Sequence, residues 1–82
     1  MERPRVVLYT RVGCHLCEEA ELQLLAYGLE PELVDIDAAP ELRERFTSCV
    51  PVVEIDGKVR FRGRINDVLL QRIVRHARTA AS

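Results

Sequence analysis

Apolar and polar positions along this chain change period several times, and each change marks an element. Arg5 to Thr10 reads as a strand, because Val6, Val7, Leu8 and Tyr9 form a nearly continuous run of β-formers, the pattern of a central strand covered on both faces. Val12-Gly13 breaks the strand. From His15 to Tyr27 the residues are helix formers, with Leu16, Ala20, Leu24 and Tyr27 at helical spacing and Glu18, Glu19 and Glu21 crowding the dipole's positive end. Gly28 suits the helix C-terminus, and Pro31 marks a loop. Leu33 to Asp37 alternates, with Leu33, Val34 and Ile36 set against Asp35 and Asp37, and reads as a second strand. A strand, a helix and a strand in so short a span form a βαβ unit, so the two strands should be parallel with a right-handed crossover.

Pro40 opens a short helix with Leu42 and Phe46 on one face, and 47–51 reads as a loop. Val52 to Ile55 and Lys58 to Arg62 are strands joined by Asp56-Gly57, a strong hairpin signal, so this pair should be antiparallel. After a Gly63-Arg64 turn, Ile65 to about Arg78 is expected as an amphipathic helix. Its apolar stripe runs through Ile65, Leu69, Ile73 and Ala77 and is widened by Leu70 and Val74. Residues 1–78 are expected as one domain and 79–82 as a frayed tail. The order is β-α-β followed by α-β-β-α, an α/β pattern.

Size sharpens this picture. A chain of 82 residues has no room for a second core, and buries only about 60 to 65% of its unfolded surface. The net charge of −1 gives no overall electrostatic case for nucleic acid or an anionic membrane surface, so neither is expected as a partner. It hides a segregation. Residues 1–11 carry Arg3, Arg5 and Arg11 against Glu2; residues 12–57 carry eleven acids against Arg43 and Arg45; residues 58–82 carry Lys58 and six arginines against Asp67. Solvated faces that pair across the fold account for this, and a basic partner-binding surface on the last helix is the sharper alternative. Apolar runs of four residues or fewer fall far short of the roughly 20 that span a bilayer. A cytoplasmic protein is expected, and there thiols stay reduced.

The candidate chemistry lies in the cysteines. There are three, Cys14, Cys17 and Cys49, an odd number that does not suit a secreted disulfide framework. Cys14-His15-Leu16-Cys17 falls where the first strand ends and the first helix begins. The unpaired N–H groups and the dipole of a helix start favour an anion, and the thiolate is the nucleophilic form of cysteine. Cys14 would be the exposed nucleophile. Cys17, one turn on, could attack a mixed disulfide on Cys14 and release the product. A buried apolar pair and half a zinc site are the alternatives. The zinc site would need two more ligands, which Cys49 with His15 or His76 could supply on paper, but the chain has no second Cys-x-x-Cys, and no metal is assigned.

These residues carry a resemblance. Tyr9-Thr10-Arg11-Val12-Gly13-Cys14-His15-Leu16-Cys17 resembles the glutaredoxin block Tyr-Ser/Thr-Lys-x-x-Cys-Pro-Tyr-Cys, and Cys49-Val50-Pro51 resembles its Thr-Val-Pro, followed by a strand and Asp56-Gly57-Lys58. The chain is similar over nearly its whole length to the glutaredoxin branch of the thioredoxin-fold superfamily, in particular to small glutaredoxin-like proteins with a Cys-His-Leu-Cys site. The resemblance implies a thioredoxin-like fold: a four-stranded mixed sheet in the order 2-1-3-4, flanked by three helices. It implies thiol–disulfide oxidoreductase activity, with Cys14 as nucleophile and Cys17 as the resolving thiol. Pro51 is then cis and faces the pair, and Val50 offers its N–H and C=O to an extended substrate. Arg11 stands at the glutaredoxin lysine and carries the charge that would stabilise a thiolate or a glutathione carboxylate.

The departures are informative. His15 and Leu16 replace Pro-Tyr, and a protonated His15 could stabilise a neighbouring thiolate. Cys49 replaces threonine, as a third redox thiol or a small buried residue. The Gly-Gly-x-Asp element that holds the γ-glutamyl end of glutathione is missing; the segment here is Arg62-Gly63-Arg64-Ile65-Asn66-Asp67, where Asn66 or Asp67 could cap the last helix and meet a ligand. No bound cofactor is expected. A monomer is expected, acting on a protein disulfide or a low-molecular-weight thiol, with glutathione as cosubstrate or a thioredoxin-reductase-type partner as electron donor. Two readings from other classes stand beside this one: a metal or iron–sulfur carrier with Cys14 as ligand, and a redox-inactive binding module on the same fold.

Overall fold

The computed structural model describes residues 4–46 and 50–81, with 77–81 described as backbone alone. The elements are β1 (Val6–Thr10), α1 (His15–Ala26), β2 (Glu32–Asp35), a 3-10 turn (Ile36–Ala38), α2 (Pro40–Phe46), β3 (Val52–Ile55), β4 (Lys58–Arg62) and α3 (Asp67–Ala81). One four-stranded sheet has the order β2-β1-β3-β4. β1 is parallel to β2, with Leu8 opposite Leu33, and antiparallel to β3, with Leu8 opposite Val53. β3 and β4 are antiparallel, with an irregularity at Val53/Glu54. Their connection uses positive φ at both Asp56 (51°) and Gly57 (84°), as the tight hairpin between twisted strands requires. This is the mixed 2-1-3-4 sheet with three helices that the resemblance implied.

The period-2 alternation of the strands sorts the core into two clusters. On one face, Val6 and Leu8 of β1, Val53 and Ile55 of β3 and Phe61 of β4 pack with Ala20 and Leu24 of α1 and Leu70 and Val74 of α3. The other cluster joins Ile36, Phe46 and Val52 with Tyr9, Leu42, Val50 and Val59, so the 3-10 turn and α2 cover the opposite face. No helix among the described residues is long and apolar enough to cross a membrane.

Two elements depart from the sequence expectation by more than one residue at an end. β2 ends at Asp35 rather than Asp37, because Ile36–Ala38 coils into a 3-10 turn in which the Asp35 side chain accepts the Asp37 N–H at 2.9 Å. β2 is an edge strand, and Leu33, expected on its apolar side, is 50% exposed there. α3 spans Asp67–Ala81 rather than 65–78. Ile65 precedes the helix, so it does not set the buried face. Leu70 and Val74 point inward, and Leu69, expected in the stripe, is 47% exposed.

Candidate functional site

β1 delivers the chain to the site. A turn follows in which the Cys14 N–H donates to the Arg11 carbonyl at 3.3 Å, with Gly13 at φ 79°. Positive φ at the third position of a four-residue turn is the conformation that favours glycine. Cys14 leaves the turn in an extended conformation, φ −90° and ψ 108°, and becomes the N-cap of α1. Its Sγ accepts the Cys17 N–H at 3.2 Å. Cys14 is part-exposed, Cys17 is buried at 2% exposure, and both are free thiols. A sulfur in the N-cap position therefore accepts a backbone N–H at the positive end of a helix, and the donor residue one turn away carries a second sulfur.

Cys17 has its own environment. Burial pushes its thiol up, and the hydrogen bond with Cys14 pushes the same way; the Thr10 hydroxyl and the Arg11 backbone oppose them. Thr10, at the end of β1, is thus part of the site, a role that the sequence reading did not assign. The signal was its place at the strand end, directly before the turn.

The remaining candidates divide. Arg11 does not stand free: its guanidinium makes a two-pronged contact with Asp37, Nε to Oδ2 at 3.1 Å and Nη2 to Oδ1 at 3.2 Å. That hydrogen bond and the charge of Asp37 push the Arg11 basicity up, and Cys14 adds in the same direction. His15 projects into solvent at its α1 position, 95% exposed, with Nδ1 3.9 Å from Glu18 Oε2. The Val50-Pro51 peptide bond is cis. Pro51 is buried and its carbonyl accepts the Gly63 N–H at 2.7 Å, while half-buried Val50 packs on the Phe46 cluster. Asn66 caps α3, its Oδ1 accepting the Leu69 N–H at 3.1 Å. Asp67 accepts from Gln23 Nε2 at 3.2 Å, and its hydrogen bond with Tyr27 helps to push that phenol up, after burial. Gln23 also donates to the Ile65 carbonyl at 3.3 Å, so the start of α3 is tied to α1. A shallow cleft between them is lined by Leu16, Glu19, Ala20, Gln23, Arg64 and Ile65, and thus reaches the Cys14–Cys17 spacer. Cys49 lies outside the described residues.

The second face of the sheet approaches through Tyr9. Its hydroxyl donates to Glu54 Oε2 at 2.7 Å, its ring lies 4.6 Å from that of Phe46, and Arg45 covers Phe46 at 5.0 Å. Among the described residues, no three His, Cys, Asp or Glu side chains come together as a metal site would require.

Known proteins resemble this chain in sequence and fold. A protein of Mycobacterium tuberculosis, itself uncharacterised, is 37% identical over 67 residues, covering 71% of this chain and 69% of the relative. The solution structure of a Nitrosomonas europaea protein matches with a TM-score of 0.74 at 29% identity, over 90% of this chain and 94% of that one. A glutaredoxin from Archaeoglobus fulgidus matches with a TM-score of 0.64 at 22% identity, over 88% and 87% of the two chains, a likeness of fold. Residues 5–75 match the glutaredoxin-like domain family (DUF836). The chain therefore has the fold of the glutaredoxin and belongs to the glutaredoxin-like domain family.

Proposed function

We propose that this protein is a thiol–disulfide oxidoreductase working through Cys14 and Cys17. The observation that carries the reading is the N-cap itself: a part-exposed sulfur accepts a backbone N–H at a helix start, and the residue that supplies that N–H, Cys17, carries a buried thiol. In the first step the Cys14 thiolate attacks one sulfur of a substrate disulfide. A Cys14–substrate disulfide forms, and the other substrate sulfur leaves as a thiolate. Cys17 then attacks Cys14 Sγ, and its proton passes to the substrate thiolate released in the first step. The Cys14–Cys17 disulfide forms and the substrate departs fully reduced, having gained two electrons. Two further thiol electrons, from glutathione or from a dithiol reductase partner, restore the pair. Val12, two residues before Cys14 and 92% exposed, offers apolar surface at the rim and suits a protein disulfide as substrate. Asn66 and Asp67 serve the start of α3, so a small thiol would be held chiefly by the backbone at Val50 and by the charge of Arg11.

Trapping tests the reading. In a Cys49→Ser background, Cys17→Ser should accumulate a mixed disulfide that dithiothreitol releases, and Cys14→Ser should accumulate none. Exchange at the wild-type rate by both variants would overturn the proposal.

A further inference from the structure

Asp37 belongs to none of the motifs described above, yet two arginines from different elements converge on it. Arg11, at the end of β1, holds it through Nε and Nη2 at 3.1 and 3.2 Å. Arg43 of α2 reaches Oδ1 through Nε at 3.3 Å. The Asp37 main chain is held in its turn, its N–H donating to Asp35 Oδ1 at 2.9 Å. A guanidinium gripped by two near-parallel bonds has a defined orientation. The same Arg11 residue begins the turn that presents Cys14, because its carbonyl accepts the Cys14 N–H. That backbone bond, at 3.3 Å, closes the turn and sets Arg11 and Cys14 at its two ends.

We propose that Asp37 is a positioning residue for the Cys14 nucleophile: it fixes the Arg11 side chain at the turn that presents Cys14 and offsets part of the positive charge that Arg11 brings there. The inference rests on the nucleophilic role proposed for Cys14 and adds a control of its reactivity. The other titratable or charged groups on the surrounding elements are His15, Cys17 and Glu18 of α1, Asp35 beside Asp37, and Arg43 of α2.

The test is the pH profile of Cys14 alkylation by iodoacetamide in the reduced protein, read at the Cys14 peptide by mass spectrometry. Asp37→Asn should raise the rate at weakly acidic pH about two- to fivefold, the scale of one exposed charge pair, and move the profile to lower pH. Arg11→Gln should slow alkylation by a similar factor. In the Arg11→Gln/Asp37→Asn double variant, the acceleration from Asp37→Asn should largely vanish. An unchanged profile in a folded Asp37→Asn protein would overturn the proposal, since a purely structural role changes stability and leaves the profile in place. Full acceleration in the absence of Arg11 would overturn it too, because Asp37 would then act by its own charge. Should Asp37→Asn fail to fold, Arg43→Gln replaces it: with one cation fewer on Asp37, alkylation should slow, and acceleration would refute the inference. Alkylation needs no substrate disulfide, so failure of the Cys17→Ser trap with this pattern intact would sink the exchange reading and leave the Arg11–Asp37 control standing.

Discussion

Two helices of this protein begin with the same hydrogen bond, and the acceptor atom separates their uses. At α1 the Sγ of Cys14 accepts the N–H of Cys17 at 3.2 Å; at α3 the Oδ1 of Asn66 accepts the N–H of Leu69 at 3.1 Å. In both, the donor lies three residues after the cap, and in both an acid sits in the first turn, Glu18 and Asp67. An amide oxygen is a strong acceptor with no further chemistry. A thiol is a weak one, but its anion is a nucleophile that the same helix end favours. The surroundings follow the division. The start of α3 is bound to α1 through Gln23, whereas the start of α1 follows an open turn with Val12 in solvent. One geometry is thus a structural clasp where the acceptor is an amide oxygen and the helix start is tied to its neighbour, and under the proposed function a reactive site where the acceptor is sulfur.

The largest effect expected from breaking this comparison is in Cys14→Ser. Serine is a preferred N-cap residue, so the variant keeps the clasp and discards the nucleophile. Disulfide exchange should fall by about three orders of magnitude or more, while stability in urea, followed by circular dichroism, should hold or rise by up to about 1 kcal/mol. A loss of stability in Cys14→Ser would mean that the sulfur holds the helix better than an oxygen does, and the contrast between the two caps would fail.

Asn66→Ala makes the converse cut. It should cost about 1 kcal/mol of stability and leave the exchange rate unchanged, with Asn66→Asp near neutral. Asn66 is expected from the sequence to cap the last helix and to meet a ligand, and its Oδ1 makes that cap. A KM for a small thiol substrate that rises in Asn66→Ala would place Asn66 in the binding surface after all.

What was legible in the sequence was whatever depends on neighbours along the chain. The Asp56-Gly57 hairpin needs two residues that tolerate positive φ, and both stand there in sequence. The cysteine at a helix start could be read from strand, glycine, cysteine and helix in succession. The features that escaped depend on distant partners or on a phase set elsewhere. Asp37 looked like an outward strand residue, because a three-residue 3-10 turn has no period to detect, and its bond to Arg11 joins positions 26 residues apart. Thr10 acquired its role only when α1 brought Cys17 back beneath the end of β1. The face of α3 was rotated because the stripe was phased from Ile65, whereas the helix begins after the Asn66 cap.

The smallest expected effect concerns the two donor residues, Cys17 and Leu69. They occupy the same position in their helices, but Leu69 is half in solvent and Cys17 is buried. Burial, and then the hydrogen bond with Cys14, hold the Cys17 thiol neutral in the fold, so its affinity for a proton is higher in the native protein than in the unfolded chain. The stability that this lends is fully present below the ordinary titration range of cysteine and is lost as pH rises through the raised native value. The reduced protein should therefore show falling urea midpoints along its alkaline limb. Cys17→Ala should flatten the first part of that fall while keeping the α1 cap, because the donor is a backbone N–H. Tyr9, raised first by its hydrogen bond to Glu54, and Tyr27, raised first by burial, act in the same direction at higher pH, so the slope that remains in Cys17→Ala should begin later. An alkaline limb identical in the wild type and in Cys17→Ala would remove the buried thiol as its cause.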